Sequence, residues 1–193
     1  MIRTRSQNVG RPIEARLSKE AWLERALTLL AAEGPSRMRI ENIAQAIGVT
    51  KGSFYHHFAN RGDFVRCLVQ YWDEKYTREV TAKPELQQGT AQERLWHLML
   101  AIVNLGLANY DAAIRSWAGS EPDLRRMVEK ADRFRLTFVR TLFSEMGFTD
   151  LELEMRSRIF VASMSAEGAI FHRTPAAKRK QVLQAQHTFF IRP

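Results

Sequence analysis

Four residues concentrate the chemistry of this sequence: Lys51, Ser53, Tyr55 and His56, a cation, a hydroxyl, a phenol and an imidazole within six positions. Phe54 and Phe58 stand four apart among them, so a helix here buries the two rings and leaves the polar residues toward solvent. Such a helix suits a major groove. Lys51 and Ser53 reach base edges or phosphates, and Tyr55 donates to a phosphate oxygen. Gly52 removes a side chain where a backbone would approach a duplex, and the free N–H groups at the helix start favour a phosphate. An alternative leaves Tyr55 and His56 as an ordinary solvated helix surface.

The flanking residues are those needed to present such a helix. Ile43 and Ile47, four apart, bury one face of a preceding short helix, and Ala44 leaves room for a close crossing. Gly48 can take the left-handed conformation that ends that helix, and Val49 plugs the gap. Thr50 caps the next helix, in which Phe54 reaches back to the core beside Phe58. The spacing predicts two stubby helices joined by a tight turn at a steep angle.

The rest of the chain reads as all-α. Leu, Ala, Glu and Arg dominate, and runs of β-branched residues are rare. After a basic arm over 1–16, Ser18 caps a helix carrying Trp22, Leu23, Ala26, Leu27 and Leu30, which Gly34-Pro35 stops. The arm reads equally as a groove binder or as a plain disordered terminus. A fourth helix runs from Arg61 into the Lys75 region, and a break with Pro84 and Gly89 marks a boundary. Helices are then expected over 91–109, 111–118, 122–146, 150–172 and 176–190. The expected division is 1–16 arm, 17–62 helix-turn-helix domain, 63–83 connecting helix and 84–193 body.

Charge and composition narrow the function classes. The net charge is +8, and residues 1–62 hold ten basic against five acidic side chains, so the excess is densest near the N-terminus. That is what polyanion binding requires, although an anionic membrane would select the same excess. The lone Cys67 excludes an intramolecular disulfide, and its apolar surroundings suit packing. Residues 1–16 lack the apolar core of a secretory signal. The longest uncharged run, Leu95 to Tyr110, is broken by His97, Asn104 and Asn109, so no membrane span and a cytoplasmic protein are expected. No nucleotide-binding glycine motif and no metal-ligand spacing occurs, which argues against an enzyme and implies no cofactor and no metal.

Residues 18–72 resemble the DNA-binding domain of the TetR family of transcriptional regulators. The resemblance is carried by Ile43-Ala-Gln-Ala-Ile-Gly-Val-Thr-Lys-Gly-Ser-Phe-Tyr-His-His-Phe58, followed by Asn60-Arg-Gly-Asp-Phe64. It implies a three-helix, homeodomain-like helix-turn-helix domain and a C-terminal helical bundle for ligand binding and dimerisation. It places Thr50, Lys51, Ser53, Tyr55 and His56 at the recognition helix and Arg61 at a phosphate-touching helix start. The family usually caps the second helix with Thr or Ser. Here Arg39 stands in that place, and it and Arg37 offer charge to a phosphate but no cap.

The same resemblance implies a homodimer on a palindromic double-stranded operator, and a repressor released by an unidentified small-molecule effector. Candidate ligand-binding residues are Trp96, Met99, Val103, Asn104, Tyr110, Trp117, Phe134, Phe138 and Glu167, each with core packing as its plainer reading. Candidate dimer contacts are Phe160, Met164, Gly168, Phe171, Val182, Phe189 and Phe190. From the residues alone these pack within one chain or between two. A DNA binder that recruits a protein instead of a metabolite is the main rival, and a membrane-surface protein lacks its basic amphipathic helix.

Overall fold

The computed structural model describes residues 17–119, 121–171 and 174–192, and at 168, 169, 176 and 177 the backbone alone. The basic arm lies outside the described residues. All regular elements among the described residues are helices.

Helix α1 (Lys19–Glu33) starts where the Ser18 hydroxyl accepts from the amide of Ala21, and ends at Gly34, whose φ of 78° no β-carbon tolerates cheaply. After a single 3-10 turn come α2 (Ile40–Ala46) and α3 (Lys51–His57), then α4 (Arg61–Asp73). Asn60 and Asp63 cap α4 reciprocally. The amide of Asp63 donates to Asn60 at 2.9 Å, and that of Ala59 donates to Asp63 at 3.0 Å. The chain continues through a π-helical stretch, Glu74–Arg78, into α5 (Glu79–Thr81), and α6 (Pro84–Gln87) follows.

The body comprises α7 (Ala91–Asn104), α8 (Leu107–Ala118), α9 (Pro122–Glu145), α10 (Asp150–Ile170) and α11 (Ala176–Ile191). A complete capping box between Thr90 and Glu93 begins α7. The expected helix over 91–109 is corrected here. Gly106 adopts φ 61°, α7 stops at Asn104, and Leu107 to Asn109 join α8 across a 69° bend. Among the described residues no single helix is long and apolar enough to cross a membrane. The bent pair α7–α8 has the length, but it supplies Leu95, Leu98, Met99, Ile114 and Trp117 to the interior.

Two apolar cores result. The first gathers α1 to α4 around Trp22, Phe54, Phe58, Phe64 and Trp72, and extends without interruption to Ile114 and Trp117 of α8 and Leu124, Val128 and Ala131 of α9. The second lies in the body around Leu95, Met99, Phe143, Phe160 and Phe190.

Candidate nucleic-acid interface

The turn between α2 and α3 is closed by its own backbone. Gly48, at φ 73°, donates to the carbonyl of Gln45 at 3.2 Å, and Val49 donates to that of Ala44 at 2.9 Å. This is the double bond pattern that ends a helix on a left-handed glycine. Arg25 of α1 adds a third link, its Nη1 donating to the carbonyl of Ile47 at 3.1 Å. Arg25 escaped the sequence reading, since nothing in α1 signals a carbonyl on another helix.

Helix α3 is then pinned from below. Thr50 caps it by accepting the amide of Ser53 at 3.3 Å. Phe54 and Phe58 are buried, with ring centroids 5.1 Å apart, and both meet Phe64 and Trp22 edge-on. His57 Nε2 lies 2.7 Å from the carbonyl oxygen of Leu17, a contact that requires the proton on Nε2 and ties the end of α3 to the residues just before α1.

Outward from this anchor, Thr50, Lys51, Gly52, Tyr55 and His56 are exposed on one rim. Among the described residues a β-carbon at Gly52 would meet only the Thr50 hydroxyl, at 3.6 Å, so the backbone there is open to approach. Ser53 departs from the expectation of a free hydroxyl. It is half-buried, and its oxygen accepts the indole N–H of Trp22 at 3.1 Å, so it holds α3 against α1 and has its proton and one lone pair left to offer. Lys51 is paired with Glu41 of α2 at 2.5 Å. The shared hydrogen bond holds the Glu41 carboxyl below the usual carboxylate range and raises the Lys51 ammonium above its own.

The remaining expected contacts flank the rim. Arg39 is exposed at the N-cap of α2 and makes no capping bond, as its side chain cannot accept one. Arg37 is exposed and bonded to Glu33 at 2.7 Å. Arg61, at the start of α4, faces two ways. It is exposed, yet its guanidinium stands 5.7 Å above the ring of Trp117 and 3.8 Å from Glu121, both belonging to the body.

In the body the expected ligand residues scatter. Only Phe138 lines the cavity of about 60 Å³ between α7, α8, α9 and α10. Val103 and Glu167 line a neighbouring recess of about 110 Å³. Met99 is fully buried in the second core and Trp117 in the first, Trp96 packs on His187, and Phe134 lies under Arg78. Tyr110 stacks on Tyr76 at 4.8 Å, and Asn104 is exposed. The break at Gly106 is part of the reason, because it ends α7 at Asn104 and leaves that side chain exposed. The cavity instead meets Thr77, Asp111 and Arg135, which no local pattern marks.

The expected pairing residues also divide. Phe160, Met164 and Phe190 are buried within the chain, where Phe160 and Phe190 touch edge-on at 5.2 Å. They are therefore not surface contacts. Phe171, Val182 and Phe189 are exposed, and the surroundings of Gly168 lie outside the described residues.

Residues 23–67 match the family of bacterial regulatory proteins of the tetR type. Transcriptional regulator AcuR of Cereibacter sphaeroides is 35% identical over 72 residues, 36% of this chain and 33% of that one. The regulator SrpR of Pseudomonas putida is 27% identical over 124 residues, 63% of this chain and 57% of that one. The matched part of the chain thus spans less than two thirds of the length of either regulator. Among solved structures, a TetR-family regulator from a Rhodococcus species superposes with a TM-score of 0.73 at 16% identity, covering 90% of this chain and 98% of that one. AibR, solved with isovaleryl coenzyme A and operator DNA, superposes equally well at 18% identity over 91% of this chain and all of its own. With the motif, the head geometry and these likenesses together, residues 23–67 form a DNA-binding head of the tetR type, on a chain whose fold is shared with solved TetR-family regulators.

Proposed function

We propose that the protein is a sequence-specific transcriptional regulator that binds a palindromic double-stranded operator as a homodimer. The observation that carries this reading is the rim of α3, where Lys51, Tyr55 and His56 stand exposed above a rigid aromatic anchor. One such helix reads only a few base pairs, each good contact giving about 1–3 kcal/mol of discrimination, so two heads related by symmetry are needed to select a site. Leu151, Met155 and Ile159 recur four apart on α10 and are exposed, as are Val182 and Phe189 on α11. These residues form the pairing face. The protein represses by occupying a promoter, and a small molecule in the body disfavours the DNA-competent arrangement.

A gel shift on promoter fragments flanking the gene tests the core of this. A retarded band at low salt that competes out with an inverted repeat supports it; indifference to every fragment ends it. The modest cavity also favours a second reading, in which the body docks a protein and no metabolite. Under that reading operator affinity would ignore small molecules and respond to a protein bound on α10 and α11.

A further inference from the structure

A second cluster of polar side chains is buried far from the α3 rim. Asp111 of α8 is 4% exposed, accepts the indole N–H of Trp72 at 3.0 Å and accepts Nη1 of Arg135 at 2.5 Å. Arg135 of α9 also directs Nε and Nη2 to the hydroxyl oxygen of Thr77, at 3.0 and 2.6 Å. The π-helical stretch Glu74–Arg78 carries Thr77. Inserting a residue into a helical turn re-aims its side chains, and such bulges concentrate at functional positions. Arg115 lies 4.0 Å from Asp111 and forks onto Asp132, so two cations face two anions.

Thr77, Asp111 and Arg135 line the cavity of about 60 Å³ together, and the other walls are mostly apolar, among them Val80, Leu98, Phe138, Val139 and Met164, with Tyr76, Thr81 and Ser165 also on the lining. A charge-balanced cluster has no use for a third charge. An anion would meet Asp111 as well as Arg135, a cation the reverse, and either would lose its hydration. Hydrogen-bond donors, however, are in surplus. The Thr77 oxygen takes two bonds from Arg135, and its own proton goes to no acceptor among the described residues. Each terminal nitrogen of Arg135 carries a second N–H, while both Asp111 oxygens already have donors. The matching group is an uncharged acceptor, and a carbonyl oxygen, with two lone pairs and no proton of its own, suits two converging donors. Size sets the other limit: a cavity of roughly 150 Å³ takes benzene, so about 60 Å³ holds only two or three non-hydrogen atoms and a ligand of five must part the apolar walls.

We propose that this cavity binds a small uncharged carbonyl compound, a ketone or ester of about five non-hydrogen atoms, its oxygen on Thr77 and Arg135 and its alkyl groups against the apolar walls. This rests on the reading that the body senses a small molecule, and it names the class.

Three probes of one shape and different charge make the test: 2-butanone, propionate and propionamidinium. Saturation-transfer NMR on the full chain without DNA should show saturable binding of 2-butanone, and binding at least about ten-fold weaker for both ions. Thr77→Val, which deletes the hydroxyl and keeps the shape, should weaken 2-butanone about five- to ten-fold, and Thr77→Ser should restore it. Ala108→Leu, which fills the cavity from α8, should abolish it. Equal binding of the three probes, no binding of 2-butanone, or binding indifferent to both Thr77→Val and Ala108→Leu overturns the proposal. Melting curves and operator gel shifts on the same preparations keep the two readings apart. A protein that shifts operator and ignores 2-butanone refutes the ligand class alone. One that binds 2-butanone and no DNA refutes the regulator and leaves the ligand class standing.

Discussion

In the proposed interface Lys51 would meet DNA in competition with Glu41, which it bonds at 2.5 Å. Glu41→Gln should therefore raise operator affinity about two- to five-fold, the scale of an exposed ion pair, with the salt dependence steeper or unchanged. The same contact predicts the effect of pH. The Glu41 carboxyl is held below its ordinary range, so the pair persists above that range and is lost as pH falls through the depressed value. Wild-type affinity should rise through that acid interval, whereas in Glu41→Gln this component is gone; fluorescence anisotropy against pH for the two proteins checks it. Lys51→Ala, if the lysine meets a phosphate, should flatten log K against log salt by about one unit. Below the rim, Phe58→Ala removes a ring packed on Trp22, Phe54 and Phe64, and should cost about 3–5 kcal/mol in denaturant melts. The rim was legible because a period of four separates its inner rings from its outer polar groups. Ser53 was not, since its partner Trp22 lies 31 positions away and only the folded chain brings an indole N–H to its hydroxyl.

At the scale of elements, helix ends with chemical markers were readable and the unmarked one was not. Ser18, Thr50 and Asn60 each accept an amide at a helix start, and Gly34, Gly48 and Gly147 each take positive φ at or just past a helix end. Gly106 does the same between Leu105 and Leu107, where apolar residues continue on both sides and no proline or polar cluster announces a stop. Gly106→Ala should cost about 1–2 kcal/mol, the penalty of a β-carbon in the left-handed region; a calorimetric melt measures it, and stability unchanged or raised would place the break elsewhere. The polar cluster at the cavity was invisible for a related reason. Thr77, Asp111 and Arg135 stand on three elements, and a π turn, which sequence periodicity does not encode, carries the first of them.

For the whole molecule, the proposed pairing side of α10 turns on single positions. Ile159 is exposed and Phe160 is buried, although the two are neighbours of equal hydrophobicity. A step of one residue rotates a helix by about 100°, and apolar residues on several faces of α10 leave the sequence unable to choose. Ile159→Arg should turn the protein monomeric in sedimentation velocity and lower operator affinity roughly a hundred-fold through loss of the second half-site; an unchanged dimer would move the pairing face elsewhere. The core joining α1 to α4 with α8 and α9 bears on how such proteins can be recombined. Trp117, Ile114 and Leu124 share one apolar interior with Trp22 and Phe64, so a cut after residue 83 leaves that interior open on one side. A chimera that transplants residues 17–83 alone onto a foreign body should aggregate, and one that brings α8 and the first half of α9 along should stay in solution. The exchangeable module is larger than the reading head, and changing what this protein recognises is better done on the surface of α3 than by swapping its neighbours.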